Sequence, residues 1–160
     1  MDFKLLLAIL LSILPVSELR GGLPLAIVYA TQHQIPIYLV FSLIVLTNIL
    51  AILIAFYFLD NIHKKFLLKI KWYKNFFNSY IEKLQKKVDQ FESKYSAMGF
   101  LALTIFVAIP LPGTGAWTGC IISWLLDLDR KKSILSIAIG VLIAGILMLL
   151  GTLGFMNLFS

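Results

Sequence analysis

The sequence predicts an all-α integral membrane protein with two re-entrant helical hairpins and two transmembrane helices, arranged as an inverted repeat and joined by a basic amphipathic helix. Three observations support this fold class. Of the 160 residues, 60% are hydrophobic and 14% charged, whereas soluble domains carry about a quarter charged residues. Two apolar stretches are long enough to cross a bilayer. Four others are about half that length and occur in two pairs.

The first pair comprises Leu5–Val16 and Leu23–Thr31. At roughly 1.5 Å per residue, each spans about half of a bilayer core that is about 30 Å thick. Between them, residues 15–24 contain two prolines together with Gly21 and Gly22, residue types that interrupt a helix or let the chain reverse. We expect either a kinked spanning helix or a hairpin that enters the membrane and returns.

The two long stretches are Tyr38–Leu59 and Ser133–Phe159. As helices they reach about 33 and 40 Å, enough to span the membrane. Small residues recur on both, which predicts close helix contacts: Asn48, Ala51 and Ala55 on the first, and Gly140, Ala144 and Gly151 on the second.

A basic segment, residues 60–96, separates the two halves. Nine of the 14 basic residues lie between Lys64 and Lys94, and aromatic and aliphatic residues recur every three or four positions from Phe66 to Tyr95. This pattern is typical of an amphipathic helix. Its charge places it on the cytoplasmic side, along the anionic leaflet or against a second copy.

The second pair comprises Gly99–Ile109 and Ala116–Leu126, and its break is residues 110–115. A crossing here would put the basic segment and Arg130–Lys132 on opposite sides, against the positive-inside rule, so we favour a hairpin. The chain is then a single membrane domain of 1–59, 60–96 and 97–160. Interrupted segments at corresponding positions of two halves mark transporter sites. The two breaks, residues 15–24 and 110–115, form the tips of the hairpins and should meet near the midplane of the membrane.

Glu18 and Arg20 in the first tip are the most informative residues. Exposed to lipid, the two charges would together cost about 5–7 kcal/mol, so they must face protein or a wet cavity. One interpretation is an ion pair that pins the tip, or charges that stay at the external interface. The other is that Glu18 exchanges a proton, because poor hydration raises the pKa of a carboxyl group, while Arg20 holds an anion.

The second tip has no charge, but its glycine-rich backbone can expose N–H groups, and a helix N-terminus near Ala116 would point into the cavity. A similar N-terminus is expected near Leu23. The candidate substrate- or ion-binding residues are therefore Glu18, Arg20, Gly21, Gly22, Pro110, Pro112, Gly113, Thr114, Gly115, Trp117 and Thr118.

Other function classes have little support. Cys120 is the only cysteine, and His33 and His63 are far apart in the sequence, so we expect no metal site and no cofactor. No nucleophile–base set, phosphate-binding loop or carboxylate pair occurs at membrane depth or in the linker, so we expect no enzyme. The net charge of +6 is concentrated beside apolar segments, which favours membrane lipids over nucleic acid as partners.

The motifs ELRGGLP (residues 18–24) and PLPGTGAWTG (residues 110–119) resemble those of the small multidrug export protein family, over nearly the whole chain. That family is similar to the DedA membrane proteins and their VTT-domain relatives. The resemblance implies re-entrant hairpins and, through DedA, transport of lipids or lipid phosphates. It also implies an acidic residue in the first re-entrant loop, which Glu18 matches. The arginines that it implies in the second loop are absent from this sequence.

We therefore expect a multi-pass inner (plasma) membrane transporter, with residues 60–96 and 127–132 cytoplasmic. It would move a small amphipathic substrate, with a lipid-like or anionic head, coupled to protons. Export of cationic drugs through Glu18 alone is the alternative. A third hypothesis is a non-transporting protein that acts through its basic helix. Two spans are few to enclose a cavity, which favours a homodimer.

Overall fold

The computed structural model describes residues 3–15, 17–63, 79, 99–111 and 113–158. Over these ranges the fold is all-helical, without strands, which confirms the predicted class at this level. A π-helix, Phe58–His63, continues the third helix. The six α-helices given by the described residues are α1 (Phe3–Ile13), α2 (Glu18–Gln32), α3 (Ile37–Tyr57), α4 (Gly99–Ala108), α5 (Ala116–Leu125) and α6 (Arg130–Leu158).

Within the described part of the chain, two helices are long and apolar enough to cross a membrane. One covers Ile37–Asn61 and the other is α6. Both predicted long helices are found, but α6 begins three residues earlier than expected. The reason is that the Asp129 carboxylate accepts the backbone N–H of Lys132 at 2.9 Å, which caps the first turn.

The first break is shorter than predicted, because α1 ends at Ile13 and α2 already begins at Glu18. The prediction of a helix start near Leu23 is therefore wrong. Gly21 and Gly22 are helical, and their role is close packing: a Cβ at Gly22 would lie 2.5 Å from the Ala8 carbonyl oxygen. The absence of that atom lets α2 pack tightly against α1, forming a helical hairpin.

The two halves pack differently. Whereas α1 packs mainly on α2, α4 packs mainly along α6. Here again a glycine allows the contact, since a Cβ at Gly140 would lie 2.7 Å from the Val107 Cβ. Helix α5 lies between α3 and α6, with Gly119 against Ile137 and the Cys120 thiol 3.9 Å from the Ile52 carbonyl oxygen.

Five of the six small residues predicted to make helix contacts are buried, and Gly151 is exposed. Asn48 is 1% exposed, and its side-chain amide donates to the Ser12 carbonyl at 2.7 Å, so α3 holds the end of α1. The predicted helix from Lys64 to Tyr95 lies outside the described residues except for Ser79.

An ion pair joins the end of the first long helix to the start of α6. One Arg130 nitrogen lies 2.9 and 2.8 Å from the two Asp60 oxygens, and the guanidinium carbon lies 4.0 Å from the Phe56 ring centroid. Because both side chains are 40% exposed, the pair contributes little to stability, about 0.2–1 kcal/mol.

Substitution of Gly22 tests the α1–α2 packing. Gly22→Ala should lower the free energy of unfolding by about 1–3 kcal/mol, since the added methyl group has no space against α1. Thermal unfolding of the detergent-solubilised protein measures this. Gly154→Ala is the matched control, because a Cβ at Gly154 meets no atom within 4 Å. Equal stability of both variants would contradict the packing.

Candidate functional site

Glu18 connects the two tips. One carboxylate oxygen accepts the backbone N–H of Ala116 and the other that of Trp117, each at 3.0 Å. These are the first two N–H groups of α5, which have no partner within their own helix. Glu18, 98 positions before Ala116, thus caps α5 with a negative charge where the helix dipole favours one.

Gly115 makes this cap possible. A Cβ on Gly115 would overlap the Glu18 carboxyl group. The backbone at Gly115 is ordinary, with φ −85°, so this glycine is required for close approach rather than for conformation. Gly113, by contrast, has φ 78°, a left-handed conformation that favours glycine, and it turns the chain towards α5.

Arg20 holds the loop that precedes α5. Its guanidinium donates to the Thr114 hydroxyl at 2.7 Å and to the Ile109 carbonyl at 3.3 Å. The Thr114 hydroxyl in turn lies 2.6 Å from the Ile109 carbonyl oxygen. Among the described residues no hydrogen bond joins Glu18 to Arg20; on a helix, positions two apart do not share a face.

Trp117 adds another link between the tips. Its indole N–H donates to the Ile13 carbonyl, at the end of α1, at 2.9 Å. The ring also packs edge-on against Phe58, with centroids 6.4 Å apart. Trp117 therefore ties α5 to α1 and to the π-helix, which is the packing role that tryptophan often has beside a turn.

The remaining predicted site residues are only partly brought together. Gly21 and Gly22 face the loop before α2 and helix α1, respectively, rather than the second tip. Thr118 is buried within α5 and Pro110 is half-buried, while Pro112 lies outside the described residues.

The space between the tips is very small. A cavity of about 10 Å³ is lined by Glu18, Arg20, Asn48, Gly115 and Ala144, among others. That volume holds at most one water molecule. The tips are therefore closed in this conformation, and a substrate could enter only if they separated.

Sequence reasoning assigned Asn48 only a packing role, although it lines this cavity. A lone amide in an apolar span was the available signal, because such groups are costly in hydrocarbon. The sequence could not indicate that the carbonyl groups of Ile13 and Ile109 accept hydrogen bonds from Trp117 and Arg20, because every residue has a backbone carbonyl group.

The arrangement stabilises negative charge. The guanidinium of Arg20, the α5 N-terminus and the glycine-rich turn converge on a place where negative charge is stabilised. That place is occupied by an internal anion, Glu18. Protonation of Glu18 would remove its charge and weaken its hold on α5, which would free the N–H groups of Ala116 and Trp117.

Comparisons with known proteins identify a family. Residues 18–147 match the model described as "Putative small multi-drug export protein". The matched region begins at Glu18 and includes residues 18–24 of the first tip and the whole of the second. No curated protein and no solved structure matches the chain.

A double-mutant cycle tests the cap. Gly115→Ala should destabilise the wild type, because the new methyl group displaces the Glu18 carboxylate. It should cost little in a Glu18→Ala background, where no carboxylate is present. Thermal unfolding of the four proteins should give a coupling energy of about 1–3 kcal/mol. Additive effects would show that the two residues do not meet.

Proposed function

Because the chain belongs to the putative small multi-drug export protein family, we propose that it is a membrane transporter for a small amphipathic substrate with an anionic or phosphate-bearing head. The observation that carries this proposal is the Glu18 carboxylate on the N-terminus of α5. The family supports export, and the geometry supports the choice of an anionic head.

The proposed topology has two re-entrant hairpins, α1–α2 and α4–α5, in an inner membrane crossed by the other two helices. Each hairpin helix has 10–15 residues, fewer than the roughly 20 that a span needs. Residues 60–96 and 127–132 are cytoplasmic in this arrangement. The two halves then run in opposite directions, and a homodimer completes the enclosure.

Transport is proposed to proceed by exchange. With Glu18 ionised, its carboxylate occupies the α5 N-terminus, and the tips are closed. When Glu18 takes up a proton, the N–H groups of Ala116 and Trp117 become available to the substrate head. The guanidinium of Arg20, which bonds to Thr114 and Ile109 and not to Glu18, adds its positive charge beside them. Loss of the proton returns Glu18 to α5 and expels the head. Arg20 binds the anionic head, and the backbone N–H groups of the Gly113–Gly115 turn surround it. The cycle includes no enzymatic step.

Export of cationic drugs is the second candidate, and the family description favours it. In that case Glu18 would bind the cation and Arg20 would be structural. Both Glu18 oxygens already accept backbone N–H groups, so a cation would have to displace α5. Arg20→Ala separates the candidates, since it should spare cation export in a drug-resistance assay and remove transport of an anionic amphiphile.

Neutralisation of Glu18 tests the coupling. In vesicles loaded with a fluorescent anionic lipid, Glu18→Gln should abolish the pH dependence of transbilayer movement, because glutamine carries no titratable proton. Asp127→Asn is a matched control outside the site, at a position with φ 50° that asparagine tolerates. Transbilayer movement that still depends on pH in Glu18→Gln would refute the coupling role.

Cysteine accessibility tests the topology. In a Cys120→Ala background, single cysteines across residues 17–23 should react only from the outside, and those across 111–118 only from the inside. The positions at the closed tips should be protected. A stretch whose two ends react from opposite sides would be a spanning helix and would contradict a re-entrant hairpin.

A further inference from the structure

A second cavity lies between α2 and α6, away from the tips; it is an open groove, and Gly151 and Phe155 in its wall are exposed. Its volume is about 410 Å³, within the range of about 300–1,000 Å³ typical of small-molecule sites. Helix α2 contributes Pro24 and Val28, and the α6 wall includes Met148, Gly151, Phe155 and Met156.

The lining selects an uncharged, apolar occupant. None of the described residues around the cavity carries a charge. Thr152 also borders it, but its hydroxyl donates to the Met148 carbonyl of its own helix at 2.7 Å. The two methionines have flexible, polarisable side chains that adapt to occupants of different shape.

This cavity continues the seam that begins at the tips. The small tip cavity is bounded by Glu18 and Arg20 on α2 and by Val141 and Ala144 on α6. The large cavity lies further along both helices, at Pro24 and Val28 and at Met148 and Gly151. From Ala144 to Gly151 the distance along α6 is about 10 Å at roughly 1.5 Å per residue.

We propose that this cavity binds the alkyl tail of an anionic amphiphile whose head is exchanged at the tips. The inference rests on the proposed function for the position of the head, and it adds the class of the tail. A molecule with its charge beside Arg20 and an apolar chain reaching past Met148 matches both cavities. The site thereby selects single-chain amphiphiles over compact hydrophilic anions.

The test is photolabelling at equilibrium, without transport. The purified full-length protein in phosphatidylcholine nanodiscs is irradiated with hexadecanoic acid that carries a mid-chain diazirine, and adducts are mapped by mass spectrometry. We expect adducts on residues 148–156 and around Val28. Gly151→Leu should lower this labelling about tenfold, the change that about 1.4 kcal/mol of lost burial produces, because its side chain fills the cavity.

Gly154→Leu is the matched control and should label like the wild type. A Cβ at either glycine meets no atom within 4 Å, but Gly154 does not line the cavity. Val28→Phe fills the cavity from α2 and serves if Gly151→Leu does not fold. The proposal would be overturned if neither filling variant lowered the labelling, or if Leu46 and Leu50 of α3 were labelled as strongly. Either result would leave Glu18-dependent transport intact.

Discussion

The carboxylate of Glu18 on the N-terminus of α5 is the interaction on which the arrangement of the two halves depends. It satisfies two N–H groups that α5 cannot satisfy itself, and it gives a buried charge two donors. Without this interaction, the carboxylate and the two N–H groups would be buried without hydrogen-bond partners, which is costly inside a protein. Arg20 and Trp117 add bonds to Thr114 and Ile13, so three side chains join chain segments about a hundred residues apart.

Close approach of backbones is the second constraint, and glycine provides it. Because glycine has no Cβ, Gly22 leaves room for the carbonyl group of Ala8. In the same way, Gly140 leaves room for Val107, and Gly115 for the Glu18 carboxyl group. Tight packing of this kind suits a membrane environment, where apolar burial gives helices little reason to associate and van der Waals contact and hydrogen bonds must hold them together.

Much of the fold could be predicted from sequence because hydrophobic length is a strong signal. The two long helices, the short ones and the start of α5 at Ala116 follow from the lengths of apolar stretches and from the break at residues 110–115. The start of α2 could not be predicted, because Gly21, Gly22 and Pro24 signal a break, whereas all three lie within a helix in which Gly22 packs closely on α1. Spacing also could not show that Glu18 and Arg20 bond to the second tip rather than to each other, since these partners are distant in sequence and mostly backbone groups.

The position of Glu18 makes the site a closed one, in which an internal anion holds the first two N–H donors of α5. Hydrogen exchange of the Ala116 and Trp117 amides, followed by NMR of the ¹⁵N-labelled protein, tests this most directly. The cap predicts that both amides exchange slowly in the wild type and much faster in Glu18→Ala, while amides in the middle of α6 are unchanged. Equal exchange at Ala116 and Trp117 in the two proteins would show that Glu18 does not cap α5.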